Sequence, residues 1–329
     1  MKVLVLTDHS NHSSENSLYE LSRELFSHKA MDKVDVASRK NIENRPFFSC
    51  QKVTEIYTTT VDSSFHFDST NHPLERNIKQ HLISEYDFVW LRLPPPLSKE
   101  FLDYLEITFP STVIINRPQA IYETGSKAFL MNFEEVCPPM KICESLDDIL
   151  DFSRVFPIVI KPFREYGGKG ILKIDGNQVS NSKAHFTIEE FSNIYNNAPD
   201  KYLAVKYLKN VKKGDKRIVV INGEIMGASL RLPPEDSWIC NVSMGGTSNF
   251  AEVSPEEIEI VNTINPLLSA KGIVMYGVDT LVDDNNRRIL SEINTTSIGG
   301  LPQIAKLSSK PMVEIGVDLI VKYVLNKEK

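Results

Sequence analysis

The segment from residue 275 to residue 294, MYGVDTLVDDNNRRILSEIN, limits the possible folds of this chain more than any other stretch. Its centre, Asp283-Asp284-Asn285-Asn286, is rich in turn-forming residues, and apolar residues flank it on both sides. This pattern is typical of two antiparallel strands joined by a tight turn. With Asn285-Asn286 as a two-residue loop, Asp279 lies directly opposite Glu292.

Three oxygen-bearing side chains then converge on one face of this hairpin. Cross-strand neighbours lie roughly 4.5–5.5 Å apart at Cβ, and Asn294, two residues beyond Glu292, points from the same face. Two carboxylates this close repel each other unless a cation lies between them. A few hard oxygen ligands suit a Mg²⁺ ion that also binds substrate phosphates. We therefore predict a magnesium site at Asp279, Glu292 and Asn294; the alternative is a hairpin with ordinary solvated acids.

The composition is that of a globular protein with a substantial core. The chain has 329 residues, of which 41% are hydrophobic and 24% charged, and this length predicts two or three domains. A net charge of −6 argues against a protein that coats nucleic acid or an anionic membrane. No stretch approaches the roughly 20 apolar residues of a membrane span. The apolar start, MKVLVLTDHS, is too short for a signal peptide. The four cysteines lack C-x-x-C spacing, so we expect reduced thiols in a cytoplasmic protein and no structural zinc.

Residues 1–118 are predicted to form an N-terminal α/β domain. Strands are predicted at Lys2–Thr7, Asp87–Leu93 and Thr112–Ile115, with helices at Glu15–His28, capped by Ser13 or Ser14, and at Phe101–Ile107. Alternating strands and helices indicate an open, mostly parallel sheet. Ligands gather at the carboxyl ends of such strands, where this chain has Asp8 and Arg92. Each is a candidate ligand; the alternatives are a turn cap for Asp8 and an ion pair for Arg92.

Residues 119–200 contain lysines and a glycine-rich turn. Lys127 lies on a predicted helix, Ser126–Phe133, and Lys161 lies at the end of a predicted strand, Pro157–Lys161. The turn Glu165-Tyr166-Gly167-Gly168-Lys169-Gly170 follows and can present backbone N–H groups to an anion. It matches neither the P-loop nor G-x-G-x-x-G. Together with the lysines it suits a polyphosphate; the alternative is a flexible turn.

Residues 201–329 are predicted to contain a second hairpin, Asp215–Ile221 with Glu224–Leu230, around Asn222-Gly223. By plain alternation Arg217 and Arg231 face opposite ways, unless a bulge intervenes or Arg231 lies past the strand end. Arginine suits carboxylate and phosphate because its planar fork binds two oxygens at once. Residues 235–250, which include Asn241, are predicted to form a mobile loop. The remaining predictions are the strand Tyr202–Leu208, the helix Ser254–Lys271, capped by Ser254 with Glu257, and the helix Pro311–Val324.

Taken in order, these features resemble the ATP-grasp carboxylate–amine ligases. Within that superfamily the chain is most similar to bacterial glutathione synthetase. The matching stretches are Asn116-Arg117-Pro118-Gln119, Ile160-Lys161-Pro162 with Gly167-Gly168, Gly214 to Val220, Arg231-Leu232-Pro233 and Glu292 to Ser297. The resemblance implies an α/β (α+β ATP-grasp) fold, in which the N-terminal sheet domain (1–118) is followed by two lobes, 119–200 and 201–329, that sandwich ATP.

The resemblance also implies a role for each matching residue. The ATP site would consist of Lys127, Lys161, Glu165, Tyr166, Gly167, Gly168, Lys169 and Gly170 around the phosphates, Val205, Lys206, Tyr207 and Leu208 around adenine, and Asp215 at the ribose. Arg217 would face the transferred phosphate, and Arg231 would bind substrate or the acyl phosphate. Asp279, Glu292 and Asn294 would hold two Mg²⁺ ions, for which Mn²⁺ could substitute. The remaining substrate ligands would be Asp8, Arg92, Asn241 and Ser297.

The implied reaction is phosphorylation of a carboxylate by ATP, followed by attack of an amine on the acyl phosphate. Such chemistry depends on positioning and charge neutralisation. The implied partners are small-molecule acids and amines, in a homo-oligomer. The chain departs from the synthetases at Trp238-Ile239-Cys240, where they usually have an arginine, and at Leu93 after Arg92. The spacing from Asp279 to Glu292 is closer to that of D-alanine–D-alanine ligases. The alternatives are therefore an amino-acid or peptide ligase of other specificity (D-alanine–D-alanine ligase-like or ribosomal-protein glutamate ligase-like) and a non-catalytic ATP-binding regulatory protein.

Overall fold

The computed structural model describes residues 1–181, 184–233 and 247–327, which form three β-sheets flanked by helices. Each sheet is built from one stretch of the chain, so the molecule has an N-terminal, a central and a C-terminal lobe. This arrangement confirms the predicted α/β class and the order of a sheet domain followed by two further lobes. Within the described ranges, no helix combines the length and apolarity that a membrane crossing requires.

The N-terminal lobe is an open sheet with the strand order β4-β3-β2-β1-β5-β6. In chain order its elements are β1 (Lys2–Thr7), α1 (Ser17–Ser27), β2 (Lys33–Ser38), α2 (Arg45–Phe48), β3 (Glu55–Thr60), β4 (Lys79–Leu82), β5 (Phe88–Arg92), α3 (Lys99–Thr108), β6 (Val113–Ile115) and α4 (Pro118–Thr124). The four strands β2, β1, β5 and β6 are parallel, and β3 and β4 are antiparallel at the edge. The predicted mostly parallel sheet is confirmed. Helix α1 begins later than predicted, because Asn16 rather than Ser13 or Ser14 caps it.

The central lobe is an antiparallel sheet with the order β11-β10-β9-β8-β12-β7. After a 3₁₀ segment, Lys127–Val136, its elements are β7 (Met140–Cys143), α5 (Leu146–Ser153), β8 (Ile158–Pro162), β9 (Leu172–Asp175), β10 (Gln178–Ser180), β11 (His185–Thr187), α6 (Ile188–Asn197) and β12 (Tyr202–Lys206). The helix predicted at Ser126–Phe133 is a 3₁₀ helix, Lys127–Val136, in which Phe133 has non-helical φ and ψ. Strand β12 belongs to this sheet, although the predicted lobe boundary at 200/201 places it in the next lobe.

The C-terminal lobe is an antiparallel sheet with the order β15-β14-β13-β16-β17. Its elements are β13 (Asp215–Ile221), β14 (Glu224–Leu232), β15 (Thr247–Ala251), α7 (Pro255–Ala270), β16 (Met275–Val282), β17 (Arg288–Asn294), α8 (Leu301–Ser308) and α9 (Met312–Lys327). Helix α7 is capped as predicted, since Ser254 and Glu257 exchange hydrogen bonds at its first turn. Residues 247–250, predicted as part of a loop, form most of the edge strand β15 instead.

Asn116 ties the end of the N-terminal sheet to the C-terminal hairpin. Its side chain is 4% exposed and forms four hydrogen bonds with backbone groups of two separate strand ends. The amide nitrogen donates to the carbonyls of Met275 (2.6 Å) and Thr295 (2.8 Å). The amide oxygen accepts from the N–H groups of Val274 (2.7 Å) and Met275 (2.9 Å). A primary amide is suited to this position because it offers both donors and acceptors.

Three imidazoles pack together at the carboxyl end of β1. The ring of His9 stacks on His72 at 4.4 Å, and the hydroxyl of Tyr19 lies 2.9 Å from His12 Nδ1 and 3.0 Å from His72 Nε2. Burial, followed by the neighbouring imidazoles, lowers the pKa of His12 to about 4. Burial and the charge of His9 also lower the pKa of His72 to about 4. The cluster therefore fills the loop after β1 with neutral rings near pH 7.

Replacing Asn116 by alanine should destabilise the whole protein. The substitution leaves buried backbone donors and acceptors unpaired, and each such group costs about 1–3 kcal/mol. We expect the free energy of unfolding, measured by urea denaturation, to fall by about 3 kcal/mol or more. The control is Asn132→Ala, because Asn132 is exposed and donates to the carbonyl of Phe129 within its own turn. A loss below about 1 kcal/mol for Asn116→Ala would contradict the role of this amide.

The imidazole cluster should make the protein sensitive to mild acid. His12 and His72 bind a proton near pH 6.5 when unfolded but only near pH 4 when folded, so stability is lost as the pH falls through this interval. His72→Gln should flatten this loss in unfolding midpoints measured from pH 7 to 4, whereas the exposed His185→Gln should not. Parallel curves for His72→Gln and the parent protein would refute the assignment. Asp215 has a raised pKa, which acts to increase stability as the pH falls. Because Asp215 is present in all three proteins, it does not affect the comparison between them.

Candidate functional site

The central and C-terminal lobes enclose a cavity of about 660 Å³. Strands β8 and β12 form one wall, and strands β13, β14, β16 and β17 form the other. The predicted site residues that line it are Lys161, Tyr166, Gly167, Gly168, Val205, Lys206, Tyr207, Leu208, Asp215, Arg217, Arg231, Asp279, Glu292, Asn294 and Ser297. Sequence analysis drew these residues from five separate stretches of the chain, and the structure brings them into one cavity of ligand-binding size.

Asp279 lies opposite Glu292 on strands β16 and β17, as predicted. The reason given from the sequence was wrong, however. The turn has three residues rather than two, because Asp283 pairs with Arg287 and Asn286 adopts the left-handed conformation at φ 64°. A bulge after Asp279 then shifts the register by one residue, which leaves Ser291 unpaired between Leu290 and Glu292. The two departures cancel, so the two carboxylates still face each other.

Arg217 and Arg231 point from the same face of the sheet. The register between β13 and β14 shifts between Val219 and Val220, which is the bulge that sequence analysis offered as one of two explanations. Arg231 lies within β14, so the alternative, a position past the strand end, is excluded. The bulge places Arg231 directly opposite Asp215.

Four charged side chains form an alternating chain across this face. Arg231 donates to both carboxylate oxygens of Asp215, at 2.7 and 2.6 Å. Its Nη2 also lies 2.9 Å from Asp279 Oδ2, and Arg217 donates to both oxygens of Asp279, with Nη2 at 2.8 Å. Each carboxylate of the chain thus contacts at least one guanidinium at two points, an arrangement that fixes both groups in orientation.

The two carboxylates of this chain titrate differently. Burial alone would raise the pKa of Asp279, but the charges of Arg217 and Arg231 outweigh it and hold this pKa below its usual value. Burial and the negative charge of Asp279 raise the pKa of Asp215 to about 6, against the pull of Arg231. The same two carboxylates raise the pKa of Arg231, against the effect of its burial. Asp279 is therefore the permanent anion of the site.

Two lysines of the central lobe approach neighbouring residues of β17, Glu292 and Ser291. Lys127 Nζ lies 3.0 Å from Glu292 Oε1 and donates to the carbonyl of Glu165 at 2.9 Å. Lys161 Nζ contacts the carbonyl of Ser291 at 3.4 Å. Burial lowers the pKa of Lys161, although Glu292 acts to raise it. Among the described residues, no carboxylate lies within 4.0 Å of the Lys161 ammonium, so this cation faces the cavity with its charge available to an anion.

The glycine-rich turn requires glycine at several positions. Gly167, Gly168 and Gly170 have positive φ values of 67°, 81° and 69°, which L side chains adopt only with strain. A Cβ on Gly170 would also lie 2.7 Å from the ring of Pro162. Gly167 and Gly168 line the cavity, whereas Glu165, Lys169 and Gly170 flank it.

The set Asp279, Glu292 and Asn294 offers the oxygen donors that a hard divalent cation prefers. Asn294 Nδ2 donates to Asp279 Oδ2 at 3.2 Å, so the amide and this carboxylate are in contact. The described residues contain no group of three or more acidic, histidine or cysteine side chains that could hold a metal by itself. A cation at this hairpin would therefore share two carboxylates and one amide oxygen, which fits Mg²⁺ completed by substrate phosphates.

The N-terminal candidates are not in the cavity. Asp8 binds Arg39 Nε at 2.7 Å and accepts from the backbone of Ser10, so it caps a turn, which was the alternative reading. Arg92 is 4% exposed and donates to Ser17 Oγ and the carbonyl of Ile298, both at 2.7 Å. Burial lowers its pKa to about 10. Arg92 thus joins two lobes, and the ion pair offered as the alternative is not seen among the described residues. Asn241 lies outside them.

Sequence analysis missed Gly277, which the charged chain needs. A Cβ on this residue would lie 2.8 Å from Arg217 Cδ, so any side chain at 277 would force the Arg217 side chain out of its present path to Asp279. A glycine inside a predicted strand signals a close approach, but the sequence does not say to which group. Pro94, Pro95 and Thr296 also line the cavity and were not predicted.

Comparison with known proteins agrees with this geometry. The family model of the prokaryotic glutathione synthetase ATP-grasp domain matches residues 126–309. The glutathione synthetase of Bradyrhizobium diazoefficiens is 31% identical over 235 residues, which is 70% of this chain and 71% of the relative. That of Brucella melitensis is 30% identical over 243 residues, or 72% and 74% of the two chains.

Solved structures share the fold at much lower identity. The D-cycloserine synthetase DcsG has a TM-score of 0.65 and 11% identity, and the match covers 98% of this chain and 100% of that one. The D-alanine–D-alanine ligase of Bacillus anthracis, solved with ATP, has a TM-score of 0.58 and 13% identity over 99% of both chains. The three lobes, the cavity between two of them and the matching relatives lead to one conclusion: this chain belongs to the prokaryotic glutathione synthetase family, and residues 126–309 contain its ATP-grasp domain.

Proposed function

We propose that this protein is an ATP-dependent carboxylate–amine ligase of the glutathione synthetase type, which joins γ-glutamylcysteine to glycine. The observation that carries the proposal is a single cavity lined by Lys161, Arg217, Arg231 and the pair Asp279–Glu292. Cations for a transferred phosphoryl group and oxygen ligands for its metal are the parts that phosphoryl transfer requires. The relatives named glutathione synthetase support the choice of substrates.

The nucleotide would lie between the central and C-terminal lobes. Lys161 and Lys127 would hold its phosphates, under the turn from Glu165 to Gly170. The backbone of β12 and the residues after it, Val205 to Leu208, would contact adenine, and these residues line the cavity. Asp215 accepts a hydrogen bond from Arg231 at 2.6 Å. It would accept hydrogen bonds from the ribose hydroxyls through the carboxylate lone pairs that Arg231 does not use.

Asp279, Glu292 and Asn294 would hold Mg²⁺, and we propose two ions. When bound, the metal would neutralise the negative charge that develops during phosphoryl transfer. The protein contributes the position of each ligand: Asn294 rests on Asp279 at 3.2 Å, and Glu292 is held by Lys127 at 3.0 Å. We also propose that the protein forms a homo-oligomer and acts in the cytoplasm.

The reaction then follows from the positions of the cations. A carboxylate oxygen of the acid substrate attacks the γ-phosphorus of ATP, the bond to the ADP oxygen breaks, and an acyl phosphate forms. The amine nitrogen attacks the acyl carbon, phosphate leaves, and the nitrogen loses a proton. Arg217 and Arg231, fixed by Asp279 and Asp215, would stabilise the negative oxygens in both steps. The pre-set orientation of these two guanidinium groups is what the protein supplies.

The direct test is phosphate release by the purified protein with Mg-ATP. The full set of γ-glutamylcysteine and glycine should release phosphate and form the tripeptide, whereas omission of either substrate should abolish release. Tripeptide formation excludes a non-catalytic ATP-binding protein. Release with other acids and amines, but not with this pair, would assign a ligase of different specificity and overturn the choice of substrates.

Replacement of Glu292 by glutamine should keep the fold and reduce turnover by about 100-fold. One metal ligand loses its charge, and Lys127 loses the ion pair that it forms at 3.0 Å. The measurement is kcat as a function of Mg²⁺ concentration, with a higher Mg²⁺ requirement expected for the variant. Glu259→Gln, on an exposed position of α7, serves as the matched control. Equal rates for the two variants would show that the metal assignment is wrong.

Replacement of Gly277 by alanine should also reduce turnover, by about 10-fold or more. The added methyl lies 2.8 Å from Arg217 Cδ and displaces the guanidinium from Asp279, and a misplaced charge loses much of its effect on the transition state. Gly299→Ala is the control, because a Cβ there meets nothing within 4 Å. Both kcat and the melting temperature should be measured, so that a loss of activity can be separated from a loss of fold. An alanine at 277 with unchanged kcat would contradict the requirement.

A further inference from the structure

A second cavity, of about 330 Å³, lies beside the first. The N-terminal lobe contributes Arg39, Phe48, Pro96 and Phe101, and the central lobe contributes Arg164 and Tyr166. None of the site residues predicted from the sequence lines it except Tyr166. It therefore needs an explanation that the nucleotide and metal sites do not provide.

The two cavities share walls. Tyr166 lines both of them, and its hydroxyl donates to the carbonyl of Gly125 at 3.3 Å, which holds the ring in place. The proline run after β5 connects them as well, since Pro94 and Pro95 line the first cavity and Pro96 lines the second. A substrate whose reacting group lies in the first cavity can therefore extend past Tyr166 and the prolines into the second.

The second cavity is positively charged. The guanidinium of Arg164 stacks on the ring of Tyr122, with Cζ 3.8 Å from the ring centroid, and Nη1 donates to the Tyr122 carbonyl at 2.8 Å. Within the described ranges Arg164 has no carboxylate within 4.0 Å, so its charge is held in place but not neutralised. On the opposite side Arg39 binds Asp8 through Nε, which leaves the two terminal nitrogens of its fork for another acceptor.

The remaining wall is apolar and flat. The rings of Phe48 and Phe101 stack at 5.7 Å with an angle of 29° between their planes. Both rings line the cavity, and the half-buried Phe48 is more exposed there than the buried Phe101. A ligand here would place apolar atoms against Phe48 and an anion near Arg164.

We propose that this second cavity is a substrate subsite. It takes the part of the acid or amine substrate that lies away from the reacting group, and it selects a carboxylate next to an apolar side chain. The inference rests on the proposed ligase function, because it assigns a substrate to the same reaction. It assigns roles to Arg164 and Arg39 as binding residues and to Phe48 as a specificity residue, which the nucleotide and metal chemistry does not use.

The test compares matched substrates in the phosphate-release reaction with Mg-ATP. In the amine arm, leucine is compared with glycine and with leucinamide, at fixed γ-glutamylcysteine. In the acid arm, γ-glutamylleucine is compared with 4-aminobutyryl-leucine, which lacks the second carboxylate, at fixed glycine. In one of the two arms, the substrate that carries the carboxylate should have a kcat/KM about 10-fold or more above that of the matched substrate that lacks it. A charge-assisted hydrogen bond implies a difference of this size. That arm identifies the substrate that occupies the subsite.

Arg164→Gln should remove this preference through KM for that substrate, while KM for ATP stays within about twofold. Arg164→Lys should restore part of it, because the charge returns without the planar fork. Arg154→Gln is the matched control: Arg154 is an exposed arginine of the same lobe that pairs with Asp151 at 2.6 Å. Identical substrate preferences in the Arg164→Gln and Arg154→Gln proteins would overturn the subsite.

If the parent protein releases no phosphate with any pair, the proposed function fails and the subsite is decided by binding alone. The probe is then 3-phenylpropionate, with 3-phenylpropionamide as its uncharged counterpart, observed by saturation-transfer NMR. Binding of the acid but not the amide, lost in Arg164→Gln and kept in Arg154→Gln, supports the subsite. No binding of the acid, or equal binding to all three proteins, refutes it.

Discussion

The charged chain Asp215–Arg231–Asp279–Arg217 is the interaction on which the site depends. Two of its links join residues that pair directly across neighbouring strands, Asp215 with Arg231 and Arg217 with Asp279. The third link, from Arg231 to Asp279, reaches over β13 on the same face of the sheet. Removal of Arg231 would leave the buried Asp215 without a partner in the chain, and removal of Asp279 would do the same to Arg217. A buried charge that loses its partner typically costs about 3–5 kcal/mol. The geometry of the sheet and the positions of the charges are therefore not independent. Whatever preserves the register of these strands also preserves the orientation of the two guanidinium groups.

Two backbone irregularities produce this register. The bulge between Val219 and Val220 brings Arg231 opposite Asp215, and the bulge after Asp279 keeps Glu292 opposite Asp279 despite a three-residue turn. Neither follows from the period-two pattern of a strand, which assigns faces correctly only while the ladder is regular. The sequence therefore predicted the pairing of Asp279 with Glu292 for the wrong reason. For Arg231 it could only state that a bulge was one of two possibilities.

The parts of the fold that were predicted are those with local signals. A signal within a few residues predicts each of these elements: the Asn222-Gly223 hairpin, the capped helix after Ser254 and the apolar strand at the amino terminus. Strand β2 was missed because Asp35 interrupts its apolar run. That carboxylate is fully buried and accepts hydrogen bonds from Thr60 (2.7 Å) and Tyr86 (2.6 Å), neither of which is near it in the sequence. The partners of Arg92 were likewise not foreseen, since they lie on α1 and after β17. Long-range partners decide whether a polar residue is a ligand or part of the core.

Buried ion pairs rarely increase stability over well-packed apolar side chains, because desolvation offsets most of their attraction. The alternating chain at this cavity is thus better explained by what it positions than by what it stabilises. Position 277 is a glycine, which leaves space for Arg217 beside Asp279. Asp215 has a pKa raised to about 6 by its burial and by the charge of Asp279. Both features oppose stability at neutral pH. What they provide is a pair of guanidinium groups with fixed orientation at the cavity, where an oriented charge acts on a phosphoryl group without having to reorganise.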